Sequence, residues 1–254
     1  IIKNEISIDK IPPLPLNVLV ANTQGAIGYM IQQSLQNALY EINSKREVVS
    51  IISQMKVDKE DPAINSPSKF IGKTFKKDVA EKLSHRYKWQ IAEQNKGDWR
   101  RVVPSPNPLY IFNGQSIKHL VNFGTIVIAG GGGGIPSYNT KKGSLRGLDG
   151  VVDKDKTAAL IGRIIRAKEY FIITDVDNIF LNYNKSNQKI INKMTTEEAK
   201  KYLKEGHFGI GSMEPKIKSA LYFLKYHGDK VVITSINKIK EAIEGNAGTQ
   251  IINN

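Results

Sequence analysis

The chain has 254 residues, a length that fits one large α/β domain or two small ones. With 40% hydrophobic residues it can bury a sizeable core, and because it has no cysteine it excludes disulfides and thiolate metal sites. The net charge of +13 comes from lysines spread along the chain, without interleaved aromatic residues, so we interpret it as a solvated surface and expect no nucleic-acid partner. No apolar run approaches the length of a membrane span and no signal peptide is visible, so we expect a cytoplasmic protein without a membrane partner.

The predicted elements alternate between helix and strand. Ile11–Leu16 contains three prolines and is predicted to be irregular. In chain order there follow a loop entering a helix within Asn22–Tyr40, a strand at Val48–Met55, a helix at Lys77–Tyr87, a helix at Ser116–Phe123 and a strand at Thr125–Ala129. The remainder is predicted as a helix at Asp155–Arg166, a strand at Tyr170–Thr174, helices at Thr196–Leu203 and Pro215–Tyr226, a strand at Lys230–Thr234, a helix at Ile236–Glu244 and a strand at Thr249–Ile252. Thr195 is the predicted N-cap of its helix.

This alternation favours an α/β fold with a mainly parallel central sheet covered by helices on both faces, a three-layer αβα sandwich. Residues 58–108 break the pattern, because they are rich in lysine and interrupted by prolines and glycines. We therefore predict a single domain, 1–254, with residues 58–108 inserted as a small protruding lid subdomain.

The first part of the chain contains two candidate anion-binding sites. The run Gly130–Gly134 follows a β-branched strand, and glycines without a Cβ let backbone N–H groups approach a phosphate. Asp153, Lys154 and Asp155 stand where a helix begins, and a lysine at that end usually needs an anionic partner, which could be Asp153, Asp155 or a phosphoryl group. A flexible linker and a solvated charged turn are the alternatives to these two sites.

Two more candidate sites follow later in the chain. Asp175 and Asp177 come directly after a strand, where they could hold Mg²⁺ or a ribose, or form an ordinary turn. Gly209–Lys216 opens a helix with small residues, a serine available to cap it, and Lys216 in its first turn. The four sites together indicate phosphoryl transfer, which needs backbone donors, lysines and a metal more than covalent chemistry. The chain contains neither a P-loop nor a protein-kinase motif set.

These motifs, in this order, resemble the carbamate kinase family of the amino-acid kinase superfamily. The resemblance covers nearly all of 11–252 and rests on segments similar to the family's QGxIGY, PTKPIG, GWRRVVPSP, GGGGIP, DKD, TDVD, EGxFxxGSMxPK and GEAGT motifs. In this sequence they are Thr23–Met30, Pro67–Gly72, Asp98–Pro106, Gly131–Pro136, Val152–Asp155, Thr174–Asp177, Glu205–Lys216 and Glu244–Thr249.

The resemblance implies roles for individual residues. Lys154 and Lys216 would contact the transferring phosphoryl group and the nucleotide phosphates, and Asp153 or Asp155 would orient them. Lys69 would reach the phosphate from the lid. The substrate loop would be Gly131, Gly132, Gly133 and Gly134. The residues lining the nucleotide pocket would be Thr174, Asp175, Asp177, Tyr183, Met213 and Lys216. No side chain is assigned to a metal.

The activity implied is reversible, Mg²⁺-dependent transfer between carbamoyl phosphate and ADP, giving ATP and carbamate, as the last step of fermentative arginine degradation by a cytoplasmic homodimer. Roughly the first 70 residues of the family pattern, with two further glycine-bearing turns, are not matched here. The alternative is therefore a catalytically inactive relative that binds a ligand or partner only. A kinase for another carboxylate, such as glutamate, aspartate or uridylate, is a weaker third reading.

Overall fold

The computed structural model describes residues 14–209 and 211–254. The chain separates into a first compact unit that ends at Thr157 and a second that runs from Ala158 to Asn254. Of the proline-rich segment predicted to be irregular, residues 11–13 lie outside the described residues, and its last residue, Leu16, is already helical, so the prediction is wrong there. The prediction of a single domain stays a prediction.

The first unit combines helices with short strands. Its helices are α1 (Leu16–Glu41), α2 (Lys77–Tyr87), α3 (Gly114–Asn122) and the first turn of α4 (Lys154–Ile165). Its strands are β1 (Val48–Ser50), β2 (Gln54–Lys56), β3 (Lys69–Phe75), β4 (Gln90–Asn95), β5 (Asp98–Val103), β6 (Tyr110–Ile111), β7 (Ile126–Ile128), β8 (Ile135–Asn139) and β9 (Leu145–Gly147).

Two successive parallel ladders position the glycine run. Strand β1 pairs in parallel with β7, and β2 pairs in parallel with β8. Ser50 lies opposite Ile128 and Gln54 opposite Ile135, so residues 51–53 stand across from residues 129–134. The strand predicted at Val48–Met55 is therefore two strands, β1 and β2, separated by residues 51–53. On the opposite side, the glycine run belongs to the longer connection between the same two ladders, residues 129–134.

Helix α1 is longer than predicted. It begins at Leu16, directly after Pro15 at the N-cap, because Leu16, Leu19 and Val20 continue its buried face toward the N-terminus. Gly28, inside the helix, allows a close approach to β1, since a Cβ there would lie 2.1 Å from the Ser50 hydroxyl oxygen.

The segment predicted as a lid contains its own small sheet. Strand β5 is central and pairs antiparallel with β3 on one side and β4 on the other. Helix α2 has the predicted bounds and buries only Ala80. Whether residues 58–108 move as a lid stays a prediction.

The second unit is built on a four-stranded sheet. Its strands are β10 (Glu169–Thr174), β11 (Ile179–Leu181), β12 (Lys189–Ile191), β13 (Lys193–Thr195), β14 (Lys230–Ser235) and β15 (Thr249–Ile252), and its helices after α4 are α5 (Thr196–Lys204), α6 (Met213–Tyr226) and α7 (Ile239–Ile243). The sheet order is β10-β14-β15-β13. The β10–β14 and β13–β15 pairs are parallel, whereas β15 runs antiparallel to β14, so this sheet is mixed.

The core of the second unit joins this sheet to its helices. Phe223 and Ile217 of α6 pack with Ile233 of β14 and Ile172 of β10, all nearly inaccessible to solvent. The predicted cap of α5 is confirmed, because the Thr195 hydroxyl accepts from the Glu198 N–H. Across residues 14–209 and 211–254, no helix has both the length and the apolar character that a membrane span requires.

Candidate functional site

The glycine run between β7 and β8 forms a tight, partly buried loop. Gly133 and Gly134 have φ of +94° and +82°, values that residues other than glycine rarely adopt. A Cβ on Gly133 would lie 1.9 Å from the Val152 carbonyl oxygen, and one on Gly134 would lie 2.5 Å from Met55 Cγ. Glycine is therefore required at both positions by conformation and by packing.

Two amides of this loop remain available to a ligand. The loop's own turns use the N–H groups of Gly133 and Gly134, which donate to the carbonyls of Gly130 and Gly131 at 2.9 and 3.1 Å. Within the described residues, the amides of Gly131 and Gly132 donate to no protein acceptor. Both glycines are exposed and line a cavity of about 130 Å³ bounded by α1 and by the ends of β1 and β7. Paired backbone donors on an open loop suit an anion.

Asp153 caps the N-terminus of α4. Its Oδ1 accepts from the backbone N–H groups of Asp155 at 2.9 Å and Lys156 at 3.3 Å, while its carbonyl accepts from Thr157. A carboxylate at this position satisfies amides that have no partner inside the helix and interacts favourably with the helix dipole.

The other oxygen of Asp153 binds Lys69, the first residue of β3. Lys69 Nζ donates to Asp153 Oδ2 at 2.8 Å. Burial raises the pKa of Asp153, but the hydrogen bond and charge of Lys69 and the two backbone N–H groups outweigh it and hold the pKa below its ordinary value of 3.8. Lys69, predicted to act on phosphate from the lid segment, is thus already beside the helix N-terminus.

Lys154 and Asp155 follow the cap and differ sharply in exposure. The Lys154 side chain is 61% exposed, whereas that of Asp155 is 8% exposed, and Lys154 Nζ lies 3.5 Å from Asp155 Oδ2. The buried carboxylate thus holds the lysine while the ammonium group stays accessible to an anion.

A hydrogen bond ties α4 to the glycine loop. The buried hydroxyl of Thr157 donates to the Gly133 carbonyl at 2.7 Å. The structure therefore brings together the glycine loop, Lys69, Asp153, Lys154 and Asp155 within the first unit, as expected if they serve one site.

The residues predicted to bind a nucleotide lie in the second unit. Thr174 ends β10, and its hydroxyl donates to Asp175 Oδ1 at 3.0 Å. Asp177 follows two residues later, and Tyr183 lies beyond β11 with its ring 5.9 Å from that of Phe180 and 55% exposed. Carboxylates at the end of a parallel strand and an accessible ring offer polar and stacking contacts to a nucleotide.

The remaining residues predicted to contact a nucleotide, Met213 and Lys216, lie on helix α6. Met213 is its first residue and packs at the border of the core, whereas Lys216, one turn later, is buried. The expectation that Ser212 caps this helix is wrong: it occupies the N-cap position, but its hydroxyl donates back to the Gly209 carbonyl at 3.2 Å.

Residues that the sequence did not single out hold the glycine loop. Gln24, Ser53 and Thr157 contact it or its flanks, and all three are buried. A signal was available for Gln24, which opens the QGxIGY-like segment, but long-range pairing of a helix residue with a strand end is not visible in local patterns.

No cluster of three or more metal-ligating side chains occurs among residues 14–209 and 211–254. Asp175 and Asp177, after the carboxyl end of β10, offer carboxylate oxygens, the kind of ligand that Mg²⁺ prefers.

The sequence matches a known protein family and several named relatives. Residues 35–235 match the profile of the amino acid kinase family. The carbamate kinase of Thermococcus kodakarensis is 42% identical over 242 residues, which is 95% of this chain and 76% of that protein. The carbamate kinase of Staphylococcus epidermidis is 41% identical over 244 residues, 96% of this chain and 79% of that protein.

Solved structures agree with the sequence comparison. Carbamate kinase from Giardia lamblia bound to AMP-PNP has a TM-score of 0.89 at 34% identity, covering 99% of this chain and 80% of that one. The same enzyme bound to citric acid has a TM-score of 0.90 at 33% identity, covering 100% and 80%. These likenesses confirm the predicted α/β fold class and the resemblance drawn from the motifs.

Proposed function

We propose that this chain, which belongs to the amino acid kinase family, transfers a phosphoryl group between carbamoyl phosphate and ADP, giving ATP and carbamate. The observation that carries the proposal is the arrangement in the first unit. Two available loop amides, the exposed Lys154 ammonium and the buried carboxylates Asp153 and Asp155 lie on two segments joined by the Thr157–Gly133 hydrogen bond. The relatives named carbamate kinase, matched over 95% of the chain, support the choice of substrate.

The first unit would bind carbamoyl phosphate. The amides of Gly131 and Gly132 donate to the anion, and Gly133 and Gly134 supply the conformation that exposes those amides. Lys154 neutralises the charge that develops on the transferring group, while Asp155 orients Lys154. Fixed donors of this kind stabilise a phosphoryl-transfer transition state because they need no rearrangement when charge moves.

Lys69 would act in concert with this cluster. It is held by Asp153 at 2.8 Å with its side chain 35% exposed, so it retains donors for a phosphate oxygen. We propose that residues 58–108 form a lid and that closure over substrate brings Lys69 to the phosphate.

The second unit would bind the nucleotide. Thr174, Asp175 and Asp177 offer hydroxyl and carboxylate oxygens, Tyr183 and Met213 offer apolar contact, and Lys216 offers charge to the phosphates. A carbamate kinase relative is solved with AMP-PNP, which supports a nucleotide site in this fold. Mg²⁺, when bound with the nucleotide, supplies further charge neutralisation, and Asp175 and Asp177 are the side chains that would hold it.

The same resemblance supports a wider proposal. We propose a cytoplasmic homodimer that performs the last step of fermentative arginine degradation, in the direction that makes ATP. The support is similarity to carbamate kinases alone.

The proposal is tested by incubating the purified protein with carbamoyl phosphate and MgADP and coupling ATP formation to a spectrophotometric readout. We expect ATP formation that depends on both substrates. Glutamate, aspartate and uridylate, each supplied with MgATP, are the control acceptors, and we expect no ADP release with them. Binding of carbamoyl phosphate without turnover would instead support a ligand-binding protein, and turnover with a control acceptor would support a sibling kinase.

A further inference from the structure

One buried residue holds both ends of the glycine run. The Ser53 hydroxyl accepts from the Gly130 N–H at 3.0 Å, and the Ser53 carbonyl accepts from the Ile135 N–H at 2.9 Å. The Ser53 hydroxyl in turn donates to the Ile51 carbonyl at 3.1 Å, and the residue is fully inaccessible to solvent. Ser53 therefore fixes the point where the glycine loop departs from β7 and the point where it enters β8.

The side chain of Gln24 in α1 pairs with both backbone groups of Ser53, as the backbone of a neighbouring strand would. Its Oε1 accepts from the Ser53 N–H at 2.9 Å, and its Nε2 donates to the Ser53 carbonyl at 3.3 Å. The Gln24 side chain is buried, and its Cγ would lie 3.3 Å from a Cβ placed on Gly131. The Gln24 side-chain amide thus lies at the gap between β1 and β2, where it supports the glycine loop through Ser53.

A run of five glycines needs this support. Glycine has more backbone freedom to lose on ordering than any other residue, so such a loop does not hold its shape by local preference. The two available amides, Gly131 and Gly132, lie between the positions that Ser53 holds, and they line the same cavity as Gln24. Their alignment toward an anion depends on the two fixed ends.

We propose that Gln24 and Ser53 are positioning residues that preorganise the glycine loop for the carbamoyl phosphate anion. This inference rests on the proposed function, since it assigns the loop as the anion site. Neither side chain touches the substrate, and both act through Gly130 and Ile135, which frame the loop.

The test compares Ser53→Ala with Ser137→Ala. Ser137 is a buried serine of β8 whose hydroxyl donates to Gln54 Oε1 at 3.3 Å, so its variant loses a serine hydrogen bond that involves neither Gly130 nor Ile135. We expect Ser53→Ala to raise the KM for carbamoyl phosphate about tenfold, because the buried Gly130 N–H loses its acceptor. The KM for MgADP should stay within about twofold of the wild-type value, and Ser137→Ala should leave both constants within that range.

Gln24 offers a second test. Gln24→Leu loses both hydrogen bonds to Ser53 and adds no charge beside the proposed anion site. We expect Gln24→Leu to raise the KM for carbamoyl phosphate and to leave the KM for MgADP within about twofold of the wild-type value. A merely structural role would lower the unfolding temperature without separating the two substrates' constants.

Hydrogen exchange of the segment 128–135 in the absence of substrate supplies a readout that does not depend on activity. We expect faster exchange in Ser53→Ala than in the wild type or Ser137→Ala, and weaker binding of inorganic phosphate by calorimetry. If the wild type makes no ATP, the proposed function fails, while exchange and phosphate affinity still decide the positioning role. Unchanged exchange together with unchanged carbamoyl phosphate or phosphate affinity in Ser53→Ala would overturn the inference.

Discussion

Asp153 has two separable roles at the start of α4. One oxygen accepts two backbone N–H groups of the helix, and the other binds the Lys69 ammonium at 2.8 Å. Asparagine caps helices about as well as aspartate but carries no charge. Replacement by asparagine therefore isolates the ion pair, and replacement by alanine removes the cap as well.

We expect Asp153→Asn to lower the free energy of unfolding at neutral pH by about 1 kcal/mol or less, because Lys69 is partly exposed and its pair is screened by solvent. The folded-state pKa of Asp153 lies below 3.8, so the pair's contribution is present above that pH and is lost as the pH falls through the folded pKa. Urea denaturation of both proteins from neutral to acid pH measures this.

The difference between the two proteins should shrink as the pH falls below 3.8 and should also shrink with added salt. Asp153→Ala, the companion variant, should lose roughly a further 1 kcal/mol at every pH because the cap is gone. A difference between wild type and Asp153→Asn that persists undiminished in acid would contradict the ion-pair explanation.

At the scale of elements, local patterns predicted some features well. Helix α2 has the predicted bounds, and the Thr195 cap of α5 is present. These features depend on residues within a turn of one another, so the sequence contains what is needed to place them.

Features that depend on distant partners were missed for physical reasons. At the interruption between β1 and β2, the backbone groups of Ser53 pair with the side chain of Gln24, which lies 29 residues away in sequence. The antiparallel direction of β15 beside β14 is likewise decided by pairing across the sheet. Local patterns predict the glycine loop as an anion site but do not reveal the residues that hold its shape, since the contact between Ser53 and Gly130 spans 77 residues.

The capping box of α5 gives a prediction at this scale. Glu198 Oε2 accepts from the Thr195 N–H at 2.8 Å, and the Thr195 hydroxyl accepts from the Glu198 N–H at 3.2 Å. Glu197 lies in the same first turn, so it shares the helix-dipole effect without being part of the box. We expect Glu198→Ala to lower the free energy of unfolding by about 1 kcal/mol more than Glu197→Ala.

Thermal and urea unfolding of the two variants provide the comparison. Thr195→Ser, which keeps the hydroxyl, should stay close to the wild type. Equal losses from Glu197→Ala and Glu198→Ala would mean that charge at the helix N-terminus, rather than the reciprocal hydrogen bonds, stabilises α5.

At the scale of the whole molecule, the residues proposed to bind the two substrates lie in different parts of the chain. The glycine loop and the cluster at the start of α4 belong to the first unit, and the candidate nucleotide residues belong to the second. Both substrates proposed here are anions, and a chain with a net charge of +13 favours their approach at low ionic strength. Similarity to carbamate kinases extends over both units, since it covers 95% of the chain.

The proposed function depends most on the Lys154 ammonium group, which Asp155 holds at 3.5 Å and which would stabilise the transferring phosphoryl group. Lys156 provides a matched control, because it lies two residues further along α4 and its ammonium group instead contacts Asn107 Oδ1 at 2.5 Å. Both substitutions remove one positive charge from the same helix.

The most direct measurement is the initial rate of ATP formation from carbamoyl phosphate and MgADP for the wild type, Lys154→Ala and Lys156→Ala. We predict that Lys154→Ala reduces kcat by about 10²-fold or more, as loss of a fixed electrostatic donor does, while Lys156→Ala stays within about twofold of the wild type. Equal rates for Lys154→Ala and the wild type, with both proteins folded, would contradict the proposed role of the Lys154 ammonium group.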